Sequence, residues 1–279
     1  MFDIHSHTQY SGDIPAGKGN SVRELCLSAI EKGLTGIAIT DHFDIDGIRD
    51  GFFPPLDHES VARDIMDAKE EFKGRLTVLH GIELGQATHM PEESHEQLRS
   101  QPYDIVLGSV HAVRGIIDFY DTDMTNMPQS EYVALWELYL KEMLDTIEWG
   151  NFDVLTHITY PKRYYLRDGI TDFPDIKGKG REYFEPILKA VIDKGITLEC
   201  NTSGLRQNIG ECLPNRDLLE FYYELGGRDI TLGSDAHKAI DLGAGFVEAS
   251  EMLREIGFRY LTKFESRKKD FYSIQEDIK

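Results

Sequence analysis

The chain is poor in cysteine and poor in positive charge. Three cysteines, Cys26, Cys200 and Cys212, occur in 279 residues. An odd number at these spacings fits neither a disulfide framework nor a zinc motif. They read as core thiols in a reducing compartment. The N-terminus lacks the basic and apolar regions of a signal peptide, so a cytoplasmic protein is expected. No apolar run approaches the length of a membrane span. Lys and Arg total 30 against 49 Asp and Glu, a formal net charge of −19. That balance argues against a nucleic-acid surface, which needs clustered cations. It also opposes an anionic substrate unless local positive charge assists. Neither G-x-G-x-x-G nor a P-loop follows any strand-like segment, which sets nucleotide-binding sheets aside. Repeats, low-complexity tracts and linkers are absent too, so residues 1–279 are expected to form one domain.

What recurs is a short apolar run followed by an amphipathic stretch. Ser21 and Glu24 offer a capping box for a helix reaching about Lys32, with Gly33 as terminator. Gly36–Thr40, Leu76–Leu84, the segment from Tyr103, "FDVLTHI", "GITLECNTSG" and "DITLGSDAH" read as strands. Helices are expected over "HESVARDIMDAKEEFKG", after Pro91, over Ser130 to Trp149, over Lys179 to Lys194, over Asn215 to Glu224 and over Phe246 to Glu255. Pro186 should kink or restart the fourth of these. "GFRYLTKF" reads as a final strand. Strand and helix alternate about seven times, which implies an α/β fold of parallel strands with helical crossovers. At this length a closed or nearly closed barrel is favoured over an open sheet.

The chain has ten histidines, and six fall at the C-terminal ends of expected strands. His5 and His7 close the first strand, His42 follows the second beside Asp41, and Glu83 ends the third. His111 and His157 end the next two, and Asp235 and His237 end the last, in "GSDAH". In a barrel of this kind the strand ends form the catalytic face. Imidazoles and carboxylates are the usual ligands of Zn, Mn and Fe. With Asp13 from the following loop, the candidates are His5, His7, Asp13, His42, Glu83, His111, His157, Asp235 and His237. One catalytic ion needs about three protein ligands, so the set suits two or three. His58, His89 and His95 read as solvated, and His80 as a core or supporting residue.

The motifs His5-Ser6-His7, Thr40-Asp41-His42, Gly81-Ile82-Glu83, Ser109-Val110-His111, the strand-end His157 and Ser234-Asp235-Ala236-His237 together resemble the polymerase-and-histidinol-phosphatase (PHP) superfamily. The resemblance implies a distorted (β/α)7 barrel with a trinuclear site. It implies that His5, His7, Glu83 and Asp235 hold one metal. Glu83 would bridge to a second held by His111 and His157, and Asp13, His42 and His237 would hold a third. Some members carry histidine where this chain has Asp13; a carboxylate there favours harder metals such as Mn or Fe.

Within the superfamily, "HITYPKR" and "NTSGLR" fit the stand-alone histidinol-phosphate phosphatases. Each places an arginine, Arg163 or Arg206, beyond a strand end, where its planar fork suits phosphate. The expected chemistry is attack of a metal-generated hydroxide on a small phosphomonoester, with Asp41, Asp235 or a metal-bound water as candidates for protonating the leaving alkoxide. Neither C-x5-R nor D-x-D-x-T is present, so no covalent phospho-enzyme is indicated. The loop "DHFDIDGIRDGFFPP" offers Asp44, Asp46 and Asp50 for a substrate amine and Phe43, Phe52 and Phe53 for a ring. The competing expectations are a general phosphoesterase, an amidohydrolase-type barrel, a nuclease on the same site, and a metal-binding module without catalysis. Glu83 stands where the second would need a lysine, and the acidic charge opposes the third.

Overall fold

The computed structural model describes residues 1–116, 118–172 and 180–274. Seven parallel strands run in the order β1 (Phe2–Asp3), β2 (Gly36–Ile39), β4 (Thr77–Gly85), β5 (Ile105–Ser109), β6 (Val154–Leu155), β7 (Thr197–Asn201) and β8 (Ile230–Gly233). A short β3 (His42–Asp44) continues the path of β2 and pairs with the upper half of β4, His42 opposite Glu83. The ring closes through the first and last strands. The Ile4 N–H donates to the Leu232 carbonyl, the Asp235 N–H to the His5 carbonyl, and the His7 N–H to the Ala236 carbonyl. The result is a nearly closed parallel barrel, wrapped on its outside by helices.

Local sequence explains most of the elements. Helix α1 (Val22–Glu31) begins with the reciprocal capping box of Ser21 and Glu24. Next come α2 (Ile45–Arg49) and α3 (His58–Glu71), the latter capped by Asp57, and then α4 (Pro91–Ser100) with Pro at its first position. Helix α5 (Gln129–Trp149) ends at Gly150, whose φ of +68° is the left-handed conformation that terminates helices. Strands β2, β5, β7 and β8 are buried at every residue, as expected where helices cover one face and the barrel interior the other.

Several expectations need correction. The loop after β2 carries both β3 and α2, and α6 (Lys162–Arg167) forms where no helix was expected. Helix α7 (Arg181–Asp193) runs through Pro186 without restarting; position 179, its expected start, lies outside the described residues. Helices α8 (Arg216–Glu224) and α9 (Phe246–Ile256) fall where expected. The final strand exists but does not join the barrel sheet. It is β9 (Tyr260–Glu265), paired antiparallel with an unforeseen β10 (Lys268–Ser273).

That hairpin seals the end of the barrel opposite the strand C-termini. Phe264 joins Ile4, Ala38, Leu79, Ile105, Leu107 and Val154 in the interior cluster. The turn residues Ser266 and Arg267 donate their N–H groups to Asp104, just before β5, and the Arg267 guanidinium binds Asp153, just before β6. Among the described residues no helix is long and apolar enough to cross a membrane. Truncating the plug tests its contribution. Phe264→Ala should cost about 3–5 kcal/mol of unfolding free energy, the range for a buried Phe. Chemical denaturation at fixed metal content measures it, and a cost below about 1 kcal/mol would show that the hairpin does not seal the core.

Candidate metal centre

All nine ligand candidates converge at the C-terminal mouth of the barrel. Glu83 lies at their centre, with no exposed surface. Its Oε2 is 3.1 Å from His5 Nε2, 3.0 Å from His42 Nδ1 and 3.6 Å from His7 Nε2. Its Oε1 is 2.9 Å from His157 Nε2 and 3.1 Å from His111 Nε2. Asp235 Oδ1 stands 3.4 Å from His7 Nε2 and 3.6 Å from His237 Nδ1. Asp13 Oδ2 lies 2.8 Å from His237 Nε2 and 4.0 Å from His42 Nε2.

Two ligand candidates have backbones that L-residues seldom adopt: φ is +53° at Asp235 and +23° at His157. Such conformations cost about 1–3 kcal/mol each and persist where the surroundings fix them. Here they are fixed. The His157 N–H donates to Glu199 Oε2 at 3.0 Å. The Asp235 carbonyl accepts from Arg206 Nη2 at 3.2 Å.

The donor chemistry fits metal ions better than protons. His7 Nε2 and His42 Nδ1 are buried without a hydrogen bond, although carboxylate oxygens lie within 3.6 Å. Burial, with His237 and His42 beside it, pushes the His7 imidazole down to about 3. For His42, burial works in the same direction, but Glu83 and Asp13 prevail and raise it to about 10. The adjacent rings are thus driven in opposite directions, His7 toward the neutral imidazole that can ligate a metal and His42 toward a cation by the carboxylates around it. Among the described residues, four triplets of donor atoms are compact enough for one ion: His5/His7/Asp235, His5/Glu83/His157, His42/Glu83/His111 and His7/His42/His237. His42 approaches Glu83 more closely than it approaches Asp13, at 3.0 Å against 4.0 Å. That grouping differs from the one the resemblance implied.

The supporting residues were only partly foreseen. Glu199, fully buried on β7, was not among the candidates. Its Oε1 is 2.7 Å from His5 Nδ1 and its Oε2 accepts from Asn201 Nδ2 as well as from His157. It needs Gly233 on the neighbouring strand, because a Cβ there would collide with its carboxylate. The signal in the sequence was an acidic residue inside an otherwise apolar strand, "TLECN". Asp44 Oδ1 is 2.7 Å from His111 Nδ1 and its Oδ2 3.3 Å from His42 Nδ1, so it orients ligands and is not free for an amine. Asp46 is taken by His89 and Gln86, and Asp50 by Arg49. Phe43 packs on the core beside His58, while Phe52 and Phe53 do line the cavity. His58, His89 and His95 are half-buried instead of solvated, and His89 lies between Asp46 and Glu142. His80 is a core residue against Tyr103.

Asp41 does not have the geometry of a proton donor to a leaving group. It is buried, and its oxygens accept from the Thr8 N–H at 2.6 Å and the Thr8 hydroxyl at 2.8 Å. Burial raises it to about 6. It fixes the segment that follows His7. Arg163 lines the cavity of about 450 Å³ over the metal-ligand candidates. Its guanidinium stacks on Tyr160, 4.9 Å from the ring centroid, its Nη2 lies 4.0 Å from Asp235 Oδ2, and its buried Nε has no partner among the described residues. Arg206 sits behind Asp235, with Nε 3.8 Å from Asp241.

Known proteins share this architecture. The PHP domain family matches residues 3–203. A probable histidinol-phosphatase from Clostridium acetobutylicum is 32% identical over 255 residues, covering 90% of this chain and 92% of that protein. The histidinol-phosphatase of Lactococcus lactis is 30% identical over 273 residues, covering 96% of each. The crystal structure of the Lactococcus lactis histidinol phosphate phosphatase, complexed with zinc, L-histidinol and phosphate, superposes with a TM-score of 0.80 at 28% identity, over 96% of this chain and 98% of that one. With its nearly closed parallel barrel and its ring of histidines and carboxylates at the strand ends, the chain belongs to the PHP domain family.

Proposed function

We propose that the protein is a single-domain, metal-dependent phosphomonoesterase of the cytoplasm that hydrolyses L-histidinol phosphate to L-histidinol and phosphate in histidine biosynthesis. The observation that carries this reading is a cavity lined both by His42, whose Nδ1 is buried without a hydrogen bond, and by Arg163, whose buried Nε also has no partner among the described residues. The first calls for cations and the second for an anion. Relatives named for this activity cover the chain nearly end to end, and one was crystallised with zinc and both products. A small-molecule ester fits the strongly acidic chain better than a nucleic acid does.

Two to three divalent ions (Zn, Mn or Fe) would be held by His5, His7, Asp13, His42, Glu83, His111, His157, Asp235 and His237, with Glu83 shared. When bound, such ions supply Lewis-acid chemistry, polarising the phosphoryl group and lowering the pKa of water. The protein's own groups do the rest. Arg163, stacked on Tyr160 and lining the cavity, would present its fork to the phosphoryl oxygens. Arg206 lends its charge from behind Asp235. Against the opposing effect of burial, His5, His7 and His237 hold Asp235 well below the usual carboxylate range, so it serves as an ion ligand better than as an acid toward the leaving group. Glu199 keeps the Nε2 of His5 turned toward Glu83 by binding the other ring nitrogen.

The direct test is turnover of L-histidinol phosphate against a panel of other phosphate esters at equal metal loading. L-Histidinol phosphate should be the preferred substrate, chelation should abolish turnover, and readdition of Zn, Mn or Fe should restore it. Elemental analysis should find more than one equivalent per chain. Equal turnover across the panel would make the protein a general phosphoesterase, and activity at less than one equivalent would remove the metal assignment.

Replacing Arg163 by Ala should lower kcat/KM by roughly 10²- to 10³-fold, about 2.7–4 kcal/mol, with metal content unchanged. Metal loss in this variant would show that the arginine supports the ligands instead.

Glu199→Gln should weaken metal binding about 10- to 100-fold in chelator competition, the range for residues that orient ligating histidines. Unchanged affinity would sink that role.

A further inference from the structure

Stacking fixes the plane of the Arg163 guanidinium but not the direction in which the fork points within that plane. The Tyr160 ring centroid lies 4.9 Å away and that of Tyr164 5.9 Å, and neither contact is directional in the plane. Asp235 Oδ2, at 4.0 Å, is too distant for a hydrogen bond. Among the described residues the guanidinium makes one hydrogen bond, from Nη2 to the Ser203 hydroxyl oxygen at 3.4 Å. Ser203 stands in the turn after β7, is 1% exposed, and does not line the cavity.

The direction of that hydroxyl is itself dictated. The Ser203 N–H and O–H both donate to Asn201 Oδ1, at 2.9 and 2.6 Å. With its proton directed at Asn201, the Ser203 oxygen turns its lone pairs to Arg163, which can only donate. Asn201 accepts with its carbonyl, so its amide nitrogen is the atom that faces Glu199, donating to Oε2 at 3.1 Å. Glu199 also accepts from the His157 N–H and lies 2.7 Å from His5 Nδ1. The chain of donors thus runs in one sense from the guanidinium toward the carboxylate behind His5. Glu199 and Asn201, two residues apart on β7, share a face of the strand. Both are fully buried, and in such surroundings a satisfied polar network is rigid.

We propose that Ser203, oriented by Asn201, is a positioning residue that aims the Arg163 fork at the phosphoryl group. This rests on the phosphatase reading above. Ser203 acts through Arg163, since it does not reach the cavity. Without its hydroxyl the guanidinium is free to turn in its plane on the tyrosine rings, and the fork loses the alignment that bidentate binding of a phosphate requires.

The test is a double-mutant cycle in the holoenzyme, with L-histidinol phosphate as substrate and inorganic phosphate as inhibitor. Ser203→Ala should lower kcat/KM and weaken phosphate inhibition, each by about tenfold, with metal content unchanged. In the Arg163→Ala background the same replacement should change kcat/KM by less than about threefold, because residues that act as one unit are not additive. A turn that had only lost stability would lower kcat/KM equally in both backgrounds, and that additive result overturns the assignment. So does a Ser203→Ala enzyme with unchanged kcat/KM. Asn201→Asp still offers an oxygen to Ser203, so at saturating metal it should leave phosphate inhibition within about threefold. A loss there as large as that of Ser203→Ala overturns the role given to Asn201. Each of these failures leaves the phosphatase reading intact, whereas an unmodified holoenzyme that hydrolyses no phosphate ester defeats both.

Discussion

The Glu83 carboxylate, buried against imidazoles from four different parts of the barrel, is the constraint on which the rest of the structure depends. It lies within 3.1 Å of His5, His42, His111 and His157. A charge so enclosed is costly unless its surroundings compensate it. The histidines hold it well below the usual carboxylate range against the opposing effect of burial. The barrel supplies the geometry: β3 continues past β2 so that His42 pairs with Glu83 in register, and the hydrogen bonds from β8 to the first strand bring Asp235 beside His5 and His7. A sheet that failed to close would separate Asp235 and His237 from the other ligands.

Charge is arranged in shells around that carboxylate. Histidines surround it, and a second ring of acids surrounds the histidines. Glu199 binds His5 and Asp44 binds His111. Each acid fixes a ring orientation, the role carboxylates play behind ligating histidines in metal sites. Arg163 then opens directly onto the cavity above. The excess negative charge of the whole chain therefore does not bar an anionic substrate, because its phosphate would meet ions and a guanidinium before it met a free carboxylate.

Much of the site was legible because its residues stand at strand ends. Runs such as "GIAIT" and "DITLG" mark where strands stop, and the ligands follow at once. The acids around them were harder to sort. Asp41 and Asp44 flank the same histidine, and nothing local distinguishes them; the fold turns Asp41 onto Thr8 and Asp44 onto His111. Glu199 lies within a strand, where an acid reads as an anomaly, and only the facing Gly233 makes room for it. Ser203 lies in a turn without periodicity, so its partnership with Arg163 could not be anticipated.

The sequence by itself determined the class of fold, the alternation of its main strands and helices and the identity of the metal-ligand candidates, because alternating apolar runs and strand-end histidines are local patterns set by side-chain chemistry and spacing. It also determined the capping of α1, which needs only Ser21 and Glu24. Only the tertiary structure decided which acids face the cavity and which turn away, that the last strand forms a plug beneath the barrel instead of joining it, and that Arg163 rather than Arg206 lines the cavity. Those outcomes depend on contacts between residues tens to hundreds of positions apart. A carboxylate becomes a ligand or a support according to the partners that closure of the barrel brings to it.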